Sequence, residues 1–353
     1  MSGKITLNGA GFEFTDGETI LDVASRNGIR IPTLCYMQDA NPSGSCRICL
    51  VEVKGARNLV TACTTPAADG MVVETDTPRV RRMRSLNIEL LISSGQHDCM
   101  VCEASGECVL QDLAYEYAVK TVRFPCTTEF PPVDESNPFI IRDASKCVLC
   151  GRCVQACNDV QVNNAIDFGY RGIDSRIIAA NDSPLLAHLS DCVSCGECVQ
   201  TCPVGALTEK KSRGKGRTWE MEKIRTTCPY CGVGCQLWLH VKDGKITKVT
   251  GVEEAEPNHG RLCVKGRFGF DFIYSPERLT TPLIKENGEF REASWDEALD
   301  LVAARFKEAI EKHGPDSVAG VSCARSINED SYCMQKLFRG AFKTNNIDHC
   351  ART

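Results

Sequence analysis

Apolar and polar residues alternate at the amino terminus. Residues 4–7 read as a short strand, Asn8-Gly9 as a two-residue hairpin turn, and residues 11–14 as the return strand. The period then changes. Ile20, Val23 and Ala24 recur at helical spacing across 19–27, and Gly28 stands where a helix C-terminus favours glycine. Toward the other end, Ser294 and Glu297 have capping-box spacing. Trp295, Leu299, Val302, Phe306 and Ile310 place one apolar stripe along the helix they open, and Gly314-Pro315 stops it. Residues 317–322 then predict a buried strand and 332–342 a second helix. This alternation predicts the beginning of a parallel-sheet domain, with about 80 residues after Cys263 being too few to complete one. The chain is expected to stop inside that domain.

Between these regions periodicity gives way to cysteine. The 353 residues are 42% hydrophobic and 25% charged, as in a soluble globular protein, but 23 are cysteines. An odd count, a long chain and tight C-x2-C runs argue against a secreted disulfide scaffold and for reduced, metal-holding thiolates in the cytoplasm. The N-terminus has no apolar core of a signal peptide and no twin-arginine pair. No apolar run approaches the ~20 residues that span a bilayer. A net charge of −5 gives no support to nucleic-acid binding. The basic cluster Arg79, Arg81, Arg82 and Arg84 reads as a solvated helix face. The second, Lys210 to Arg217, reads as a linker, with 212–217 rich in glycine, serine and cations.

The cysteines fall in five sets. Iron in a cluster requires soft thiolates converging from a loop, and two-residue spacings let consecutive thiolates reach one cluster. Cys35, Cys46, Cys49 and Cys63 give C-x10-C-x2-C-x13-C after a strand–helix start of β-grasp type, the setting of a [2Fe–2S] centre. A four-cysteine zinc site is the alternative, although structural zinc usually pairs two C-x2-C hooks. In the second set, Cys99, Cys102 and Cys108 leave a four-iron cluster one ligand short. His97 is the nearest competent side chain and Asp98 the fallback. The third and fourth sets are the most specific. Cys147, Cys150, Cys153 and Cys157 give C-x2-C-x2-C-x3-C, and Cys192, Cys195, Cys198 and Cys202-Pro203 repeat it. In this two-cluster ferredoxin run the fourth cysteine serves the other cluster. One [4Fe–4S] cluster is therefore assigned to Cys147, Cys150, Cys153 and Cys202, and another to Cys192, Cys195, Cys198 and Cys157. Asn158 replaces the proline expected after Cys157. The last set is Cys228, Cys231 and Cys235, closed by Cys263, with Gly232 and Gly234 letting the backbone wrap a [4Fe–4S] cluster closely. Cys126, Cys323, Cys333 and Cys350 read as ordinary thiols. Several such centres on one polypeptide imply electron conduction between distant redox partners, at low potential, near about −400 mV for plant-type ferredoxins.

With these residues in view, the chain resembles the catalytic subunit of cytoplasmic, multi-cluster, molybdopterin-dependent formate dehydrogenases. Roughly residues 1–210 resemble the electron-transfer arm shared by complex I large subunits, iron-only hydrogenases and these dehydrogenases. The set from Cys228 to Cys263, with Lys265 in Leu262-Cys263-Val264-Lys265-Gly266-Arg267, resembles the cluster-binding opening of molybdopterin oxidoreductases. The family's matching lysine lies between cluster and pterin and helps pass the electron. Two departures stand out. The family's cluster histidine usually stands four residues before the first cysteine, where this chain has Gly95; here His97 stands two before. And in the family Asn345-Asn346-Ile347-Asp348-His349-Cys350-Ala351-Arg352-Thr353 would be followed at once by the metal-ligating selenocysteine or cysteine, then a histidine. The expectation is a UGA-encoded selenocysteine at position 354.

The resemblance implies an α+β, multi-domain chain. Its expected segments are a [2Fe–2S] domain at 1–78, a Cys3His segment at 79–138, a two-[4Fe–4S] ferredoxin domain at 139–211, a further [4Fe–4S] domain at 218–274, and the start of a pterin-binding α/β domain at 275–353. It implies one [2Fe–2S] and four [4Fe–4S] clusters. In the full-length enzyme it also implies molybdenum or tungsten held by two pterin guanine dinucleotides, oxidising formate to carbon dioxide. Electron partners would be a NAD-reducing flavoprotein, a hydrogenase or a ferredoxin, with no membrane insertion. Residues 1–353 alone are expected not to oxidise formate. The competing readings are a non-catalytic electron-transfer subunit like that of complex I, an iron-only hydrogenase, whose active-site motifs are absent after residue 210, and another molybdopterin oxidoreductase.

Overall fold

A computed structural model describes residues 3–186 and 190–350. The chain divides into two compact units, residues 1–222 and 223–353. The first opens with β1 (Gly3–Leu7) and β2 (Ala10–Phe14), an antiparallel hairpin whose turn residues Asn8 and Gly9 both have positive φ. Ile5 and Leu7 point inward and Lys4 outward, as a period of two requires. Helix α1 (Ile20–Arg26) follows. Thr19 caps it and trades hydrogen bonds with Asp22, and Gly28 follows its C-terminus with φ +72°. Strands β3 (Leu50–Val53), β4 (Val60–Thr61) and β5 (Val72–Glu74) complete a five-stranded sheet in the order β2-β1-β5-β3-β4. Its core is Ile5, Leu7, Val51 and Val73 packed on Ile20, Val23 and Ala24 of α1.

Helix α2 (Pro78–Ser93) starts at the Thr77 cap with proline in its first turn. The arginine cluster on it is not a uniform solvated face. Arg79 and Arg81 are exposed and paired with Glu52 and Asp76, but Arg84 is 2% exposed. Its guanidinium donates to the carbonyls of Leu50 (2.6 Å) and Thr75 (3.0 Å) and to the Tyr117 hydroxyl (2.9 Å), just beyond α3 (Val109–Glu116). A charge at that depth is tolerated because sheet-end carbonyls, which no strand pairs, surround it.

Two small antiparallel pairs frame the next segment: β6 (Ile140–Arg142) with β9 (Leu207–Glu209), and β7 (Ile166–Gly169) with β8 (Arg176–Ala179). Between them lie two short helices, α4 (Arg152–Gln155) and α5 (Glu197–Thr201), each preceded by a left-handed glycine, Gly151 and Gly196. The basic stretch after β9 is not a free linker. Arg217 donates to the carbonyls of Met100 (2.7 Å) and Cys102 (2.6 Å), Arg213 pairs with Glu135, and Trp219 lies against Gly106. It straps the loop that carries the second cysteine set.

The second unit begins with a three-stranded sheet of β10 (Glu222–Thr227), β11 (Gln236–Lys242) and β12 (Lys245–Gly251), followed by α6 (Val264–Phe268). The hairpin β13 (Leu283–Glu286) and β14 (Glu289–Glu292) leads to α7 (Trp295–His313). Ser294 caps α7 by accepting from the Glu297 amide, and Gly314 ends it. The Glu297 carboxylate pairs with Arg291. The expected stripe is present but uncovered: Trp295 is 67%, Leu299 58% and Val302 50% exposed, and only Phe306 finds a ring, that of Phe342. The strand predicted over 317–322 is shorter, β15 (Gly320–Ser322), because residues 315–317 form a tight helical turn. Nor is it buried: Val321 is 77% exposed. The second helix starts earlier than predicted, α8 (Asn328–Lys336) continuing as a wider turn to Phe342; Glu329 and Asp330 suit its positive N-terminal end. Strand β16 (Ile347–His349) pairs parallel with β15, as the alternation predicts. Ala351, Arg352 and Thr353, the end of the terminal motif, lie outside the described residues.

Candidate iron–sulfur cradles

The sheet itself assembles the first set. Cys49 immediately precedes β3 and Cys63 closely follows β4, so pairing of Leu50 with Thr61 brings their sulfurs to 3.3 Å. Cys35 and Cys46 complete the group, and all four are buried. A bond shared with Cys46 pulls the Cys35 thiol down against burial, and Cys46 is pushed up in return. Cys49 and Cys63 divide in the same way. Such thiols favour shared negative charge, which is what a metal centre stabilises.

His97, Cys99, Cys102 and Cys108 line one small cavity, with Lys146 and Asp98 at its wall. Burial lowers the His97 pKa and so favours the neutral ring, opposed by a hydrogen bond with the Leu91 backbone. Its Nε2 is buried without a partner. A neutral imidazole nitrogen left unsatisfied beside three thiols is a ready metal donor. Gly95 explains the shifted histidine: a side chain there would collide with the Ser145 carbonyl and the His97 ring, which occupies that space. Gly205 likewise has no room for a side chain against Cys102.

In the third and fourth sets the thiols group across the two runs. Cys147, Cys150 and Cys153 each feel the charge of Cys202 first, whereas Cys157 feels Cys192, and Cys198 feels Cys195, Cys192 and Cys157 ahead of Cys202; Cys153 in turn feels Cys198 last. Burial pushes Cys147 up to about 11 and Cys150 to about 12, with Cys153, Cys198 and Cys202 also raised. The Cys202 cradle is walled by Val148, Val204 and Ile166. Asn137, fully buried, donates to Ser194 beside Cys192.

In the second unit burial raises the Cys228 and Cys235 thiols, and the neighbouring charges of Cys231 and Cys263 add to the rise in both. The Cys228 amide donates to the Cys235 carbonyl at 2.8 Å, closing the loop. Cys263 immediately precedes α6, where Gly266 packs near the Cys228 sulfur. Lys265, on α6, is exposed. Of the four thiols outside the sets, Cys126 and Cys333 are exposed, but Cys323 and Cys350 stand 3.4 Å apart at the ends of β15 and β16, a proximity that only the parallel pairing reveals. Among the described residues no three histidine, cysteine or acidic side chains close on a single metal ion, and no helix is long and apolar enough to cross a membrane.

Five family models match successive stretches of the chain. They are a 2Fe-2S iron-sulfur cluster binding domain (residues 4–78), the NADH-ubiquinone oxidoreductase-G iron-sulfur binding region (84–123), a 4Fe-4S dicluster domain (146–206), the molybdopterin oxidoreductase Fe4S4 domain (221–275) and molybdopterin oxidoreductase (278–353). The chain is 37% identical to the NADPH-Fe(3+) oxidoreductase subunit alpha of Geobacter sulfurreducens, 38% to a subunit of an NADH-quinone oxidoreductase of Rhizobium meliloti, and 35% to a Bacillus subtilis protein named "Putative formate dehydrogenase YrhE". Each alignment covers 99% of this chain and 40% of the relative, so the chain spans well under half the length of these proteins. Among solved structures, a chain of a NAD+-reducing [NiFe]-hydrogenase is 32% identical with a TM-score of 0.53, covering 61% of this chain and 91% of the other.

Proposed function

The chain belongs to the molybdopterin oxidoreductases that carry iron–sulfur domains, and we propose that it conducts electrons through five clusters between a pterin-bound metal and a soluble redox partner. The [2Fe–2S] centre is held by Cys35, Cys46, Cys49 and Cys63. Four [4Fe–4S] centres are held by His97/Cys99/Cys102/Cys108, Cys147/Cys150/Cys153/Cys202, Cys192/Cys195/Cys198/Cys157 and Cys228/Cys231/Cys235/Cys263. The observation that carries this reading is the crossing of Cys202 and Cys157 between the two runs, which zinc hooks do not need and paired clusters do. The segments 1–78, 79–138, 139–211 and 218–274 each hold their own station or pair of stations.

The substrate we assign to a protein of the relatives' full length is formate, by HCOO⁻ → CO₂ + H⁺ + 2e⁻. A molybdenum or tungsten bis-pterin, when bound, supplies the two-electron chemistry. The residues of this chain order and insulate the stations, and Lys265, exposed on α6 two residues beyond Cys263, would supply a cation beside the last cluster for electron passage toward the pterin. The partner is a NAD-reducing flavoprotein, a hydrogenase or a ferredoxin. A second reading is favoured by relatives named for NADPH and NADH that are at least as similar as those named for formate: an electron-transfer subunit working with a nicotinamide-dependent partner and without formate chemistry of its own.

Anaerobic purification followed by iron and sulfide analysis tests the clusters. About eighteen irons per chain are expected, two plus four times four; a colourless zinc protein would overturn the assignment. Formate-dependent dye reduction by the full-length protein separates the two readings, and Lys265→Ala is expected to slow it severalfold with the iron content unchanged.

A further inference from the structure

The two cysteine runs of the 147–202 segment are built alike and charged unlike. Each has a left-handed residue just before its second cysteine, Leu149 and Ser194, and a left-handed glycine just after it, Gly151 and Gly196. Each glycine opens a short helix whose first residue directly precedes the third cysteine. At that shared position the first run has Arg152 and the second has Glu197, which is 6% exposed.

The Arg152 Nε is buried and has no hydrogen-bond partner. A guanidinium cannot shed its proton in a protein, so this is a permanent charge carrying an unused donor. Arg152 stands in the chain between Cys150 and Cys153, and its charge reaches the Cys150 and Cys202 thiols. Both thiols belong to the same cradle. Net charge and hydrogen bonds to sulfur are the levers by which a protein sets a cluster's potential. Reduction adds one electron to a cluster without making or breaking a bond, so a fixed cation stabilises the reduced form directly.

We propose that Arg152 is the positioning residue that separates the twin clusters in potential: its buried Nε–H donates to a sulfur of the Cys147/Cys150/Cys153/Cys202 centre and makes that centre the easier of the two to reduce, while Glu197 leaves the Cys192/Cys195/Cys198/Cys157 centre without a cation at the matching place. Electrons arriving at the pair then rest on the first centre. The inference depends on the cluster assignment proposed above.

Redox titration of the anaerobically purified chain, followed by electron paramagnetic resonance, tests it. In Arg152→Gln one [4Fe–4S] signal is expected to move to lower potential. At a fixed potential near its midpoint the oxidised-to-reduced ratio rises about tenfold, equivalent to about 59 mV for one electron. Arg152→Lys retains the charge and recovers most of the shift. Glu197→Gln moves a different signal upward. If Arg152→Gln holds its iron and every signal titrates as in the wild type, the inference fails. If Arg152→Gln loses iron, the remaining two variants decide. A wild-type titration in Arg152→Lys with a second signal raised in Glu197→Gln sustains it, and no raised signal in Glu197→Gln overturns it. Wild-type protein without cluster signals would instead defeat the cluster assignment itself.

Discussion

Residues 3–222 and residues 278–350 treat their apolar side chains in opposite ways. In the first region Leu7, Ile20, Val23, Val51 and Val73 are sealed from solvent, and the cysteine cradles sit directly against that packing. In the second, the stripe of α7 stands open, and a single parallel pair, β15 with β16, stands where a sheet would need both faces covered. Enclosure decides where the structure can hold chemistry to a fixed geometry. Cradles built on closed cores keep their donors in place. The α7 region has the right elements and caps, but no comparable enclosure.

The largest predicted effect tests the closed region at one of its cradles. Cys153→Ala removes a buried thiol, and about four irons per chain should be lost with it, together with one [4Fe–4S] signal. Retention of the full iron content would show that Cys153 faces no cluster. Next comes Arg84→Met. It strips three hydrogen bonds and leaves the Leu50 and Thr75 carbonyls without that donor, at a cost of about 3 kcal/mol. Urea unfolding of the cluster-loaded chain measures it. A change below about 0.5 kcal/mol, the size expected of an ordinary surface site, would restore Arg84 to the solvated face.

Arg84 also marks the limit of what is legible in the sequence. The hairpin at Asn8-Gly9, the capped helix after Thr19 and the cysteine groups are readable because their signals are local: dihedral preference, capping and spacing. Arg84 and Arg217 escape such a reading because their roles depend on partners dozens of residues away, Tyr117 for one and Met100 for the other. A basic cluster has no periodicity that says which member turns inward. The α7 stripe differs again. Its pattern is correct, but a pattern states which face is apolar and not what covers it. His97 lies between these cases. Its proximity follows from spacing, whereas its orphaned nitrogen and the crowding at Gly95 require coordinates.

Gly95→Ala should therefore act at a distance of two residues. The added methyl collides with the Ser145 carbonyl and displaces the His97 ring, an overpacking cost of about 1–3 kcal/mol. Only the Cys3His signal is expected to fade, leaving the other three [4Fe–4S] signals intact. His97→Cys should keep the iron and lower that signal's potential, since replacing cysteine by histidine raises a cluster's potential. If His97→Ala leaves every signal unchanged, Asp98 or another group completes the cradle.

The smallest effect belongs to α7 and tests directly whether its apolar face is open. If its stripe is as open as it stands, Val302→Glu replaces a valine that is 50% exposed and should change stability by less than about 0.5 kcal/mol. Leu7→Ala in the closed core should cost about 2–5 kcal/mol. Ser294→Ala falls between them, at about 1 kcal/mol, because it removes the oxygen that accepts from the Glu297 amide while touching no packing. A Val302→Glu penalty approaching that of Leu7→Ala would mean that the α7 face is covered in solution. The two regions would then differ in what each packs against, and not in whether it is packed.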